Sequence, residues 1–293
     1  MKKIISVVLA ITLICSAFCV SVSASDIKGD ASGDGKLSAV DARMILQHVA
    51  GIKTIEDTSN LDMNGDNKIS ATDARVILQV VAGIIDLEKE QQLKLFVDSF
   101  NNVKKNAEAA ILEHVKVYEC EEYSGTEELR AEYEEMMAEI VGENDVNQTY
   151  TGDEIDANFP PVGATCSLSH DDIKDFSFTE TENYYVVSFK VKGETNPAKG
   201  KGVGAVADIV TKEELEAAMK EEIGSEMTDA EFEALIQLNS RYNDVTVKAK
   251  IEKATGNMIE YYVDVPYVME FGMMGMLEMN MGIGTASTWK IVY

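Results

Sequence analysis

Asp30, Ser32, Asp34 and Ser38, closed by Asp41, put oxygen-bearing side chains at positions one, three, five, nine and twelve of a short stretch. Asp62, Asn64, Asp66 and Ser70, closed by Asp73, repeat that spacing 32 residues later. A tightly curled backbone carrying donors in this pattern aims hard oxygens at one point, which suits a calcium ion taking six to eight ligands at about 2.3–2.6 Å. At the seventh position Lys36 and Lys68 can offer only a backbone carbonyl, because an ammonium group repels the ion. The sixth position needs a left-handed backbone, free for Gly35 and least costly among other residues for Asn67. The expected cofactor is therefore two calcium ions, each held by one loop.

The two stretches belong to a duplication. Asp30 to Ile52 and Asp62 to Ile84 align without a gap and agree at 16 of 23 positions, which marks a repeated structural unit. Three carboxylates confined to one loop repel one another, so an empty loop is electrostatically strained and a divalent cation relieves it. For ligand at 100 times its dissociation constant each site adds about 2.7 kcal/mol, a large share for so small a unit. Behind each loop Ala42, Ile45 and Val49, then Ala74, Ile77 and Val81, recur at helical spacing and predict two helices that bury each other. Gly51 and Gly83 stand where a left-handed cap ends them.

On these residues, about 27 to 87, the chain resembles a type I dockerin, the module that plugs extracellular enzymes into cohesin domains of a cellulosome scaffold. The family resembles an EF-hand without its leading helix and closes its loops with Asp. Both features occur here, since Ile27 to Gly29 is too short for an entering helix and position twelve is Asp twice. The resemblance implies cohesin contacts at Ala39, Val40, Leu46 and Gln47 in the first copy, and at Ala71, Thr72, Leu78 and Gln79 in the second. Well-known members carry a hydroxyl pair and a basic pair there, so a more apolar contact is expected. Because the copies present nearly the same surface, two binding orientations related by a half-turn are expected as well.

Met1 to Ala24 reads as a secretory signal: Lys2 and Lys3, an apolar run from Ile4 to Val20, and the small-residue exit Val22-Ser23-Ala24. The resulting expectation is a secreted protein, with residues 1–24 removed, a dockerin over 25–87 and a second domain over 88–293. A net charge of −25 argues against nucleic acid or an anionic membrane surface as partner. Beyond the leader no apolar run approaches the roughly 18 residues of a membrane span. Cys120 and Cys166 either remain thiols or bridge, closing a loop of about 46 residues.

The second domain is expected to be α+β, with helices packed on a curved antiparallel sheet. Glu88 to Val115 reads as one long helix, and a second helix follows a capping box at Ser124 to Glu127, with Leu129, Tyr133, Met136 and Ile140 on one face. Cys166 to Leu168, Phe176 to Thr179 and Tyr184 to Val191 read as strands. Capping boxes at Thr211 to Glu214 and Thr228 to Glu231 open two short helices. Three long strands close the chain: Val245 to Ile251, Ile259 to Tyr267, and Leu277 to Tyr293. This region faintly resembles secreted domains of anaerobic Firmicutes in which a helix precedes a curved sheet, a likeness that implies no activity.

Glycosidic hydrolysis needs two carboxylates about 5 to 9.5 Å apart, and 51 acidic residues make candidates too common for composition to select any. The single Trp, Trp289, reads as core. His48, His114 and His170 lie near no Gly-x-Ser-x-Gly elbow, and NPAKGKGVG lacks the end of a phosphate loop. No catalytic residue is assigned. The reading is a calcium-dependent docking protein of a plant-polysaccharide-degrading complex, its second domain a binding or structural module. Two competing classes are a hydrolase of O-glycosyl bonds in plant polysaccharide and a carrier of an apolar ligand. The latter is suggested by Met269, Met273, Met274, Met276, Met279 and Met281 among glycines.

Overall fold

The computed structural model describes residues 27–223, 227–273 and 277–293. The expected leader lies outside the described residues. The chain divides into two compact units, one ending at Leu87 and the other spanning Glu88–Tyr293.

In the first unit each loop runs into one helix, α1 (Ala39–Val49) and α2 (Ala71–Val81). Ser38 and Ser70 are their N-caps, and Asp41 and Asp73 complete capping boxes at the third helical position. The same two carboxylates therefore start the helices and close the loops. Ala42, Ile45, Ala74 and Ile77 pack together as expected, with Leu61 and Met63 filling the rest of a small core. Val49 and Val81 do not join it. Both stand exposed in the last helical turn, while Leu61 and Met63 from the loop side complete the core.

The second unit is an α+β domain built on a large antiparallel sheet. Its first helix, α3 (Leu87–Asn106), buries Leu93, Phe96, Phe100 and Val103. It stops nine residues short of the expected end, and β1 (Ala109–Ser124) takes over. The residues Val115, Val117 and Tyr118 favour extended backbone, and this outweighs the helical periodicity of the preceding segment. α4 (Glu127–Ile140) is capped at Thr126 without a side-chain bond, and it buries Tyr133 and Met137 while Met136 and Ile140 face outward. Next come β2 (Gly142–Thr151), which the sequence reading missed, and a short α5 (Asp153–Asn158).

β3 (Ile173–Glu180) and β4 (Tyr184–Val191) form a hairpin, whereas Cys166 to Leu168 holds only an isolated bridge between Ser167 and Lys201. The two-residue β5 (Glu194–Thr195), α6 (Lys212–Ile223) and α7 (Asp229–Leu235) lead to β6 (Ile236–Tyr242), also unread from sequence. β7 (Val245–Glu252), β8 (Met258–Met273) and β9 (Leu277–Val292) complete the sheet.

Strand order is β2, β1, β9, β8, β7, β4, β3, with β6 paired to β8 and β5 to β6. β8 serves two neighbours in succession on one edge: β7 along Met258 to Asp264, then β6 along Tyr267 to Met273. Pro266, which has no N–H to give, sits at the changeover, where its carbonyl accepts the Asn243 N–H at 3.0 Å.

Alternation gives the sheet two unlike faces. Tyr261, Val263 and Val265 of β8, with Val247 of β7, Phe189 of β4 and Trp289 of β9, form the core under α3. α4 packs on Met279, Met281 and Ile283 of the same face, and α6 and α7 on Leu238, Phe271 and Met273. No helix among the described residues packs on the other face. Trp289 is buried as expected, and Cys120 and Cys166 are free thiols.

Candidate calcium loops and docking face

Each loop is curled by its own first carboxylate. Asp30 accepts the backbone N–H of Gly33 at 2.7 Å, Asp34 at 3.2 Å and Gly35 at 2.7 Å, and Asp62 accepts those of Gly65 at 2.7 Å and Asn67 at 2.8 Å. Asp34 and Asp66 repeat the device two residues on, accepting from Lys36 at 2.9 Å and Lys68 at 2.8 Å. Gly35 at φ 77° and Asn67 at φ 62° both take the left-handed backbone. Position three meets position one in the first loop, where Ser32 Oγ donates to Asp30 at 3.1 Å, and position five in the second, where Asn64 Nδ2 donates to Asp66 at 3.1 Å.

Asp41 and Asp73 are the distinctive residues. Both are 0 % exposed. Asp41 accepts the N–H of Ser32 at 2.9 Å and of Ser38 at 2.8 Å, and Asp73 those of Met63 and Ser70, each at 2.8 Å. Burial pushes the Asp41 carboxyl up, but the hydrogen bonds from Ser32 and Ser38 outweigh it and leave the group below its ordinary value. Neither carboxylate has a Lys or Arg partner among the described residues. Hydrogen bonds rather than a cation hold both buried carboxylates, and an ion inside the loop would supply the counter-charge they lack.

Among the described residues no three His, Cys, Asp or Glu side chains converge as a metal cluster. The donor set these loops would offer is of another kind, with hydroxyl and main-chain carbonyl oxygens, and an amide oxygen in the second loop, added to three carboxylates in each. Oxygen-only donors of this type suit calcium, and the carboxylate oxygens keep lone pairs beyond those used by the loop amides.

The eight expected contact residues reach the surface. Leu46 is 43 % and Leu78 44 % exposed; Val40, Ala39, Ala71 and Thr72 are exposed, and Gln47 and Gln79 half-buried. Val49, Ile52, Val81 and Ile84, at and just past the helix ends, are exposed as well, two of them expected inside. His48 is a staple, its Nδ1 accepting the Ile55 N–H at 3.1 Å.

Outside the loops the remaining candidates meet structural partners. His114 lies on β1 rather than a helix and pairs with Asp145 at 2.6 Å, while the ring of half-buried His170 meets Phe176 edge-on at 5.2 Å. Glu121 and Glu270 both bind the Arg241 guanidinium. Met279 and Met281 line a cavity of about 220 Å³ with Tyr123, Leu129 and Tyr133, below the size usual for a small-molecule site. Met274 and Met276 lie outside the described residues.

Two loops of calcium type, each running into a single helix and joined through one small core, define a duplicated loop–helix module. Residues 28–81 match the family model of the dockerin type I domain, so the first unit carries a dockerin. Dockerins bind calcium and engage cohesin modules of cellulosome-type complexes, and the proteins that carry them are typically extracellular. Neither curated proteins nor solved structures give a match to the chain. No helix among the described residues is long and apolar enough to cross a membrane.

Proposed function

We propose that the protein is exported, loses residues 1–24, and docks onto a cohesin module only when each loop of its dockerin, within residues 25–87, holds one calcium ion. Asp30, Ser32, Asp34, Ser38, Asp41 and the Lys36 carbonyl would serve the first ion; Asp62, Asn64, Asp66, Ser70, Asp73 and the Lys68 carbonyl the second. The reading is carried by the matched pair Asp41 and Asp73, both fully buried and both lacking a cationic partner among the described residues. Leu46 with Gln47, and Leu78 with Gln79, offer the cohesin two near-equivalent faces. Residues 88–293 act as a non-catalytic binding or structural module brought to plant polysaccharide by the docking. Capture of the full chain on a panel of immobilised cohesins, with calcium and then with a chelator, tests this. Capture that survives chelation sinks the calcium dependence, and no capture by any cohesin sinks the docking.

A further inference from the structure

The sheet face left bare by the helices carries a charge pattern at odds with the rest of the chain. In register across it, Lys290, Glu260 and Lys250 form one row, Thr288, Tyr262 and Lys248 the next, and Lys116, Ala286, Asp264, Thr246 and Lys190 a third. Followed onto β3 and β2, the rows add Lys174, Glu143 and Asp145. Six lysines thus share three rows with four carboxylates, in a protein with 51 acidic and 26 basic residues. Lys250 pairs with Glu260 and Lys190 with Asp175. Lys116, Lys248 and Lys290 have no carboxylate partner among the described residues.

Two of the ammonium groups lie over aromatic rings, and of these Lys250 also pairs with Glu260 at 3.1 Å. Lys248 Nζ stands 5.2 Å from the Tyr262 ring centre and Lys250 Nζ 4.5 Å from that of Tyr184. A ring face fixes a cation in place without cancelling its charge. The Lys248 ammonium is therefore positioned on a rigid sheet while its charge stays available to an anion. Val186, Lys248, Lys250, Glu260, Tyr262 and Thr288 border an open depression of about 440 Å³.

We propose that this face binds a carboxylated polysaccharide, a chain of uronic acid type. Charge complementarity to Lys116, Lys248 and Lys290, unpaired among the described residues, favours an anionic occupant. Strands lie about 4.8 Å apart and same-face residues about 6.8 Å apart along a strand, so the cations are sparse. Between them stand Thr246, Thr288 and the acceptors Asp264 and Glu260. Those carboxylates oppose a densely charged phosphate polymer but accept hydrogen bonds from sugar hydroxyls. A polymer that alternates carboxylates with many hydroxyls satisfies both demands.

This rests on the second unit being a binding module, and the experiment separates the two ideas. Binding of the full chain to polygalacturonate is measured by titration calorimetry in calcium-free buffer, so that metal bridging contributes nothing. Retention is expected, weakening as salt rises and lost on the fully methyl-esterified polymer. Lys248→Gln with Lys290→Gln should weaken it about ten-fold, and Lys248→Arg with Lys290→Arg should restore most of it. Lys105→Gln with Lys201→Gln, exposed but off this face, should change it less than about two-fold. Absence of binding, equal binding of the ester, an unaffected Gln pair, or tighter binding of single-stranded DNA or of phosphatidylglycerol vesicles overturns the site. Released reducing sugar would instead overturn the non-catalytic reading and leave the site standing.

Discussion

The backbone N–H of Gly29 donates to the carbonyl oxygen of Asn60 at 2.9 Å, tying the mouth of the first loop to the approach of the second. Asn60 Nδ2 returns a hydrogen bond to the Ile27 carbonyl at 3.2 Å. Gly29 sits at φ 89°, and a Cβ there would come within 2.6 Å of Met63 Sδ in the other loop. Gly29→Ala should therefore cost about 1–3 kcal/mol and weaken both calcium sites together. Scanning calorimetry of the full chain in calcium checks this. An unshifted first-unit transition rejects the coupling.

Each proposed ion should depend on its own closing carboxylate. Asp73→Asn keeps the volume but replaces one acceptor oxygen with an N–H₂ group, so it loses charge and confronts a loop amide with a second donor. Calcium titration is expected to fall from two ions to one, with loss of about 2.7 kcal/mol of stability at calcium 100 times the dissociation constant. Two ions still bound would remove Asp73 from the site.

The matched exposure of Leu46 and Leu78 predicts redundancy. Leu46→Ala with Gln47→Ala should cost less than about three-fold in cohesin affinity, since the other copy remains for use. The four-residue variant that adds Leu78→Ala and Gln79→Ala should cost about 100-fold or more. A large loss from the first pair alone means one orientation only.

Much of this was legible because repetition and alternation are local. Asp30 and Asp62 announce their loops through spacing within a dozen residues, and Tyr184 to Val191 announces β4 through β-branched and aromatic alternation. Val49 was misplaced because helical periodicity names a face without saying how far the partner helix reaches. The first part of β1, as far as Val115, reads as helix because Ala109 and Leu112 suit either state and no cap marks the break after Asn106. The lysine face was out of reach, since Lys290 and Lys250 stand in one row only through the pairing of three strands.

Cys166 gives a pH prediction. Burial pushes its thiol up to about 12, whereas an unfolded thiol ionises near about 8.5. Between these values the unfolded chain has released a proton that the folded chain keeps. Stability from this group is fully present below about pH 8.5 and falls by about 1.4 kcal/mol per pH unit as pH rises toward 12. Tyr118 and Tyr133, held above the ordinary phenol value by burial and by hydrogen bonds to Asp264 and Glu119, steepen the fall at higher pH. Denaturant unfolding of wild type and Cys166→Ala across this range checks it: the variant should lose one proton's worth of slope. In native protein Cys166 should react with a thiol reagent only as fast as the second unit unfolds.

Gly284 and Tyr118 test how the bare face is built. Tyr118 on β1 faces Gly284 on β9, and its hydroxyl reaches past that strand to donate to Asp264 on β8 at 2.6 Å. The ring lies where a side chain would otherwise stand, since a Cβ on Gly284 would come within 2.2 Å of Tyr118 Cζ. Gly284→Ala must expel the ring and break the bond to Asp264, at a cost of about 2–3 kcal/mol. Tyr118→Phe keeps the packing and removes one charge-assisted bond, at about 1–2 kcal/mol. In a Tyr118→Ala background the obstacle is gone, so Gly284→Ala should cost almost nothing there. A double-mutant cycle read by chemical denaturation should then show coupling of about 1–3 kcal/mol. Additive costs would mean that the glycine serves the strand alone, and that the tyrosine does not need it.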